Sequence, residues 1–316
     1  MEVFKSLSEV KKEKNTVLTM GTFDGIHLGH RRIIESVKKH SAALNARNFL
    51  ITFDPHPRSV ISGSNDVKLL NTLQEKIDIL EEIGIQNLLI INFTKEFSML
   101  DSEKFFKNYI IDKIGLSEIV VGYDHHFGKG RGGDENTLRE LGEEYDFKVF
   151  SVDAVNINGT NVSSTKIRNA ILKGDVNLAG LFLGRYYSFS GTVIRGDGRG
   201  RLLGFPTANI LPNDETKLLP AIGIYAVETV IDGKKHFGVM SIGKRPTFYN
   251  DGQLTTEVYI FDFNNDIYCK KVTVNVIERI RGEEKYSSAE ELVAQMEKDK
   301  QAGMEIFNRQ VNKVFN

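Results

Sequence analysis

Cysteine is nearly absent. Cys269 is the only one in 316 residues, so no disulfide can form within the chain and no thiolate metal site can be built. This fits a reducing, cytoplasmic setting. Tryptophan is missing and proline occurs only 6 times, so no proline-rich linker separates the parts of the chain. No run of about 18 apolar residues occurs, which excludes a long transmembrane helix and makes a membrane an unexpected partner. The opening MEVFKSLSEVKKEKN carries charge throughout and lacks the apolar core of a secretory signal. Neither sign of charge is in excess: 41 Lys and Arg face 42 Asp and Glu, for a net charge of −1. A protein that works along phosphate backbones is usually basic, so nucleic acid is not an expected partner. The chain is expected to be a monomer or a weak homo-oligomer.

The hydrophobic share, 41%, is enough for ordinary cores, and the length suggests about two domains. The first half alternates between two patterns. TVLTMG (16–21), FLITF (49–53), NLLIINF (87–93), EIVVGYD (118–124) and KVFSVDAV read as buried strands. Between them GHRRIIESVKKHSAAL, NTLQEKIDILEEIG, DSEKFFKNYIIDKIG and ENTLRELGEEY carry helical spacing, and SSTKIRNAILKGD follows as a capped helix. Thr72 and Glu75 form a capping box, and Gly84 is a stop. Apolar strands alternating with helices predict a parallel sheet covered on both faces. Near LFLGRYYSFSG the pattern changes. YYSFSGTVI, GIYAVETVID, KKHFGVMSIG, LTTEVYIFDF and YCKKVTVNVIERI are strand-like, with turns at Asp232–Gly233, Asp251–Gly252 and Asn264–Asn265. They predict an antiparallel barrel or sandwich, closed by a final amphipathic helix. The boundary is expected near Gly184, giving domains 1–184 and 185–316.

Two constellations carry chemistry. GTFDGIHLGH (21–30) sits at the carboxyl end of the first strand, where ligands bind in such sheets. Three readings of it are open. His27 and His30 are too few for a zinc site and have no Cys partner. A glycine-rich turn with incidental imidazoles is the plain reading. The third is phosphate chemistry, in which a helix N-terminus offers free N–H groups and the histidines donate to a polyphosphate. SSTKIR (163–168) favours the third, because hydroxyls at a helix start with Arg168 one turn in make a second anion-binding corner. The second constellation, GDGRGRLLGFPTANI (196–210), joins a glycine-rich cationic loop to Thr207 and Asn209. These stand two apart and face the same way in a strand. Their oxygens suit a hard cation such as Mg²⁺. Glu257, near the start of TEVYIFDF, is either a surface carboxylate or a base.

In order along the chain, GTFDGIHLGH, TFDPHP, VGYDHHFGKGRGG and VSSTKIR resemble the adenylyltransferase half of the bifunctional riboflavin kinase/FMN adenylyltransferase family. GDGRGRLLGFPTAN, GIYAV, SIGKRPTF, TEVYIFDF and RGEEKYSSAEEL are similar to its riboflavin kinase half. His125, Lys244 and Cys269 depart from the family's usual residues. The resemblance implies a Rossmann-like α/β nucleotidylyltransferase domain followed by an antiparallel β-barrel kinase domain with a C-terminal helix. It implies riboflavin, FMN and ATP as substrates, with Mg²⁺ as cofactor. For adenylyl transfer it implies His27, His30 and Arg168 as catalytic, and Gly21, Phe23, Asp24, Gly29, Asp124, Ser164 and Thr165 as nucleotide-binding. For the kinase step it implies Glu257 as general base, Gly196, Arg201 and Gly204 around the nucleotide, and Thr207 and Asn209 on nucleotide and metal. His56, Arg58, Arg281 and Tyr286 would touch flavin. A flavin sensor built on relic domains, a monofunctional enzyme, and a nucleotidyltransferase for another acceptor are the rival readings.

Overall fold

A computed structural model describes residues 1–63, 67–196, 198–244 and 254–314. The expected turn at Asp251–Gly252 and the 245–248 part of SIGKRPTF lie outside the described residues. The chain divides into two compact units, Met1–Ser164 and Thr165–Asn316.

In the first unit the elements run β1 (Glu2–Phe4), β2 (Thr16–Met20), α1 (Leu28–Leu44), β3 (Arg47–Asp54), α2 (Pro57–Ser62), α3 (Leu73–Glu82) and β4 (Asn87–Asn92). Then come α4 (Ser102–Phe105), continued by π-helical turns over Phe106–Ile114, β5 (Glu118–Gly122), α5 (Glu135–Tyr145), β6 (Lys148–Val152), and the short strands β7 (Asn156–Ile157) and β8 (Thr160–Asn161). Six strands pair in parallel in the order β1-β4-β3-β2-β5-β6. The central strand β2 is buried at every position, as a strand covered on both faces must be. One face packs Leu18, Phe49, Phe106 and Ile119. The other packs Ile34, Leu50, Leu80 and Leu88. Each such side chain contributes roughly 1.5–3 kcal/mol by burial. The Thr72–Glu75 capping box is present at the start of α3. β2 is the first strand of the doubly wound part and pairs with both β3 and β5, so the sheet's topological switch point lies at its carboxyl end.

The second unit contains α6 (Ser164–Leu172) beyond its first residue, α7 (Val176–Leu183), β9 (Tyr187–Ile194), α8 (Arg199–Leu202), β10 (Thr207–Pro212), β11 (Gly223–Ile231), β12 (Lys234–Lys244), β13 (Leu254–Ile260), β14 (Lys271–Arg281) and α9 (Ala289–Val314). Six antiparallel strands close a barrel in the order β10-β13-β12-β11-β14-β9. Of the two predicted forms, barrel and sandwich, the barrel is observed. Inward residues alternate along β9, and Phe189, Val227, Met240, Val258 and Val274 meet in the interior. On α9, Ile306 packs with Ala226 and Ile277, and Phe307 lies 3.6 Å from the Phe237 ring.

The units divide ahead of the expected boundary at Gly184. The reason is packing: Val176 of α7 belongs to the barrel's core, and the Ala221 N–H donates to the Ile171 carbonyl of α6 at 3.1 Å.

Candidate functional site

The loop from Thr22 to His27 leaves the carboxyl end of β2 and enters α1. Its backbone is unusual. Phe23 (φ 46°) and Ile26 (φ 39°) are left-handed, as is Gly25 (φ 91°). Bulky residues rarely adopt this region. Here Phe23 and Ile26 are almost wholly buried in the core beneath the loop, and that burial offsets the strain.

The H-x-G-H spacing has a geometric meaning. His27 is the N-cap of α1, and its Nδ1 accepts the His30 backbone N–H at 3.3 Å. In the neutral ring the proton therefore sits on Nε2. One turn later the His30 ring stacks on His27, centroids 3.7 Å apart and 16° from parallel. A side chain at position 29 would lie 3.1 Å from the His27 ring, so Gly29 makes room for the imidazole. Burial, then the neighbouring His27, then Lys76 push the His30 pKa well below its ordinary value. His30 is thus neutral near pH 7. Its buried Nδ1 has no hydrogen-bond partner among the described residues.

His30 lines a cavity of about 790 Å³ at the switch point. The wall near it comes from Gly21, Thr22 and Phe23 at the end of β2 and the start of the loop, and from Gly122 at the end of β5 with Asp124 beyond it. The far wall is aromatic. Phe53, Phe93, Phe97 and Phe105 line it, in edge-to-face pairs with centroids 5.4–5.6 Å apart for Phe53–Phe93, Phe93–Phe97 and Phe97–Phe105. Arg58 and Arg131 add positive charge, and four of the seven histidines (His30, His56, His125 and His126) stand in the lining. Such a cavity suits an anionic ligand with a flat apolar part. Burial, with His126 and Arg131 nearby, lowers the His125 pKa to about 4.

The structure brings most of the expected first-unit residues together. Gly21, Phe23, His30, His56, Arg58 and Asp124 line one cavity. Asp24, His27 and Gly29 do not line it; His27 and Gly29 stand behind His30, and Asp24 is turned inward. Its Oδ1 accepts the backbone N–H groups of Leu70 and Asn71, at 2.9 and 3.3 Å, and its carbonyl accepts the Ser164 hydroxyl at 2.8 Å. Asp24 and Ser164 therefore hold the loop. Thr165 and Arg168 follow on α6, in the second unit.

Three groups escaped the sequence reading. Phe93 ends the strand-like run 87–93 and Phe97 follows it, with nothing local to mark either as lining a cavity. Lys76 stands within the helical run NTLQEKIDILEEIG, yet it is 6% exposed. Its ammonium donates to the Thr22 carbonyl at 2.8 Å and to the Thr52 hydroxyl at 3.2 Å. Burial lowers its pKa, against the opposing charges of Asp24 and Asp54. A signal was available: Lys76 occupies the apolar stripe Leu73–Ile77–Leu80, where a charge is out of place.

In the barrel, Asn209 of β10 pairs across from Glu257 of β13. The Thr207 hydroxyl donates to Glu257 Oε2 at 2.9 Å. Thr207 and Asn209 are half-buried and share a face, as expected. The glycine-rich loop folds back on them. A side chain on Gly196 would fall 2.2 Å from Asn209 Nδ2, and one on Gly200 would fall 3.3 Å from Thr207 Oγ1. Beside this pair lies a cavity of about 320 Å³ lined by Arg201, Thr207, Asp266 and Tyr268. Gly204 is left-handed with open space around it. At the end of β14, Arg281 is committed to α9: its Nε and Nη2 donate to both Asp299 oxygens at 2.8 and 2.7 Å. The Tyr286 ring lies 5.9 Å from the Arg281 guanidinium.

Among the described residues no group of three or more His, Cys, Asp or Glu could hold a metal ion, so the two-histidine metal reading of GTFDGIHLGH finds no third ligand there. No helix among the described residues is long and apolar enough to cross a membrane.

Comparison with known proteins bears on both sites. Residues 9–166 match the family model described as FAD synthetase, and residues 183–307 match the one described as riboflavin kinase. A bifunctional riboflavin kinase/FMN adenylyltransferase from Listeria monocytogenes is 38% identical over 91% of each chain. Those of Bacillus subtilis and Escherichia coli K12 are 36% and 33% identical over 95% and 96% of each chain. A solved structure described as a macrolide-efflux protein from Streptococcus pneumoniae superposes with a TM-score of 0.87 at 32% identity, over 94% of this chain and 96% of that one.

Proposed function

The chain belongs to the bifunctional riboflavin kinase/FMN adenylyltransferase family, and from that premise we propose how its residues divide the two reactions. It is an enzyme of flavin cofactor synthesis. ATP phosphorylates riboflavin to FMN, and a second ATP adenylylates FMN to FAD with release of pyrophosphate. We assign adenylyl transfer to residues 1–184 and phosphorylation to residues 185–316.

The observation that carries the first assignment is His30 on the wall of the switch-point cavity, with the buried His27 ring stacked behind it. The aromatic wall of Phe53, Phe93 and Phe97 accepts the flat flavin ring. Arg58 and His56 border it. The Gly21–Phe23 backbone, His30 and Asp124 receive the nucleotide. A phosphate oxygen of FMN attacks the α-phosphorus of ATP, and the bond to pyrophosphate breaks. Negative charge grows on the phosphoryl oxygens in that step. Imidazoles held at a helix N-terminus, with His30 kept neutral by burial, stabilise it by donating hydrogen bonds. No covalent intermediate on the protein is needed.

In the barrel, Glu257 accepts the proton of the ribityl hydroxyl that attacks the γ-phosphorus. The Gly196–Gly204 loop covers the phosphates, and Arg201 neutralises charge. The segment from Arg281 to Tyr286 borders the flavin. The donor set at Thr207 and Asn209 fits Mg²⁺. Both supply hard oxygens, and the Thr207 proton is turned to Glu257, which leaves its lone pairs for a cation. Bound there with the substrate phosphates, Mg²⁺ would neutralise their charge. The single, exposed Cys269 accords with a cytoplasmic enzyme.

The test is a time course with riboflavin, ATP and Mg²⁺, in which riboflavin, FMN and FAD are separated by chromatography. FMN should rise first and then convert to FAD. FMN that never converts, even with fresh ATP, would refute the assignment of the first cavity. No product from folded protein would favour a flavin sensor.

A further inference from the structure

A lysine on the buried stripe of a helix needs partners, because an ammonium removed from water is costly unless its hydrogens find acceptors. Lys76 finds two. It donates to the Thr22 carbonyl at 2.8 Å and the Thr52 hydroxyl at 3.2 Å, and that hydroxyl donates to the same carbonyl at 3.2 Å. Thr22 is where the chain leaves β2 for its left-handed passage through Phe23, Gly25 and Ile26. The passage ends at His27, which caps α1 and carries the His30 stack. Its middle is tied down separately, by Asp24 to Leu70, Asn71 and Ser164. Among the described residues Lys76 is the one cation anchoring the loop's entry, and Lys76 itself does not line the cavity.

We propose that Lys76 is a positioning residue for adenylyl transfer: its clamp on the Thr22 carbonyl holds the strained Thr22–His27 loop in the path that sets His27 and His30. The inference rests on the reading of this cavity as the adenylyl-transfer site. A second effect follows from the same placement. The buried positive charge opposes protonation of His30, so Lys76 also keeps that ring a neutral donor. The other groups around His30 are His27 on its own helix, Phe23 edge-on at 5.1 Å, and Asp124, His125, His126 and Arg131, which line the same cavity.

Lys76→Met tests this, because methionine keeps an unbranched apolar stem of similar length and removes the ammonium. Riboflavin phosphorylation by the same molecule is the internal control. The kcat for FMN adenylylation should fall roughly 10- to 100-fold through misplacement of the histidines. The KM values for FMN and ATP should stay within about threefold, as expected for an interaction felt mainly in the transition state. The acid limb of the adenylylation pH profile should move to higher pH, because His30 loses a positive neighbour. Thr52→Val, which removes one of the two acceptors, should shift kcat the same way by less, and it decides the matter if Lys76→Met does not fold. Folded Lys76→Met with the parent's kcat and pH profile would overturn the proposal. So would a variant that only melts earlier while its folded form keeps both, since Lys76 would then be merely structural. A parent protein that makes FMN but no FAD would overturn the assignment of the cavity, and this inference with it.

Discussion

Gly196→Ala is a one-methyl change whose effect can be worked from the geometry. Gly196 has no left-handed φ, so alanine adds no backbone strain and the whole effect is steric. The new carbon would lie 2.2 Å from Asn209 Nδ2, 2.6 Å from its Cγ and 2.9 Å from its Oδ1. Ordinary contact begins near 3.4 Å, so the amide must retreat by about 1.2 Å (3.4 − 2.2) or the loop must lift by as much. Asn209 pairs directly across from Glu257, and its oxygen is the group proposed to face the cation. Displacement of a catalytic contact by about 1 Å costs on the order of 10²-fold in rate. The assay follows FMN formation from riboflavin at saturating ATP, with FAD formation from supplied FMN as control. The kinase kcat should drop on the order of 10²-fold while adenylylation is unchanged. A kinase kcat within about threefold of the parent would refute the reasoning, because a loss of positioning that large should be felt in rate. The loop would then not rest on Asn209 during turnover.

Three further outcomes are expected. His27→Ala removes the cap and half of the stacked pair, so FAD formation from FMN should fall roughly 10²- to 10³-fold while FMN formation continues; loss of both activities in folded protein would sink the two-site division. Glu257→Gln should do the converse, lowering FMN formation roughly 10²- to 10⁴-fold without touching FAD formation from supplied FMN. The third concerns acid. His125 titrates at about 4 in the fold against 6.5 ordinarily, so between those values the unfolded chain takes up a proton that the folded chain refuses, and stability is lost as pH falls through that window. His125→Phe should therefore melt less differently at pH 5 and pH 7.5 than the parent does; an unaltered difference would show that His125 is not the cause. His30, also lowered, leaves part of the dependence in place.

What could be read from the sequence was what is local in it. β2, β3, β4 and β5 are continuous apolar runs, and the Thr72–Glu75 box lies within one turn. The missed elements lack a period. β1 is three residues at a sheet edge among charges, and α7, VNLAGLFL, is apolar on nearly every side because one face enters the barrel core. Closure of the barrel was equally hidden. Alternation along β9 reports one buried face, and only the closed cycle of six pairings, completed by β9 against β10, separates a barrel from a sandwich.

The sites divide along the same line. H-x-G-H and P-T-A-N are short, and their chemistry depends on neighbours two or three residues away, so spacing alone could nominate them. The groups that hold them in place come from far along the chain. Lys76 reaches back 54 residues to Thr22, Ser164 reaches back 140 to Asp24, and Thr207 meets Glu257 across 50. A charged residue in a helical stretch is most often solvated, and the acceptors that keep Lys76 buried are seen only in the fold. The Asp299 partner of Arg281 lies 18 residues on and becomes a neighbour only once α9 packs on the barrel. Reacting groups are thus legible from spacing, whereas their supports are visible only after the chain has folded. A lone charge on an apolar stripe is the one sign of such a support that a sequence carries, and Lys76 is where that sign can be tested.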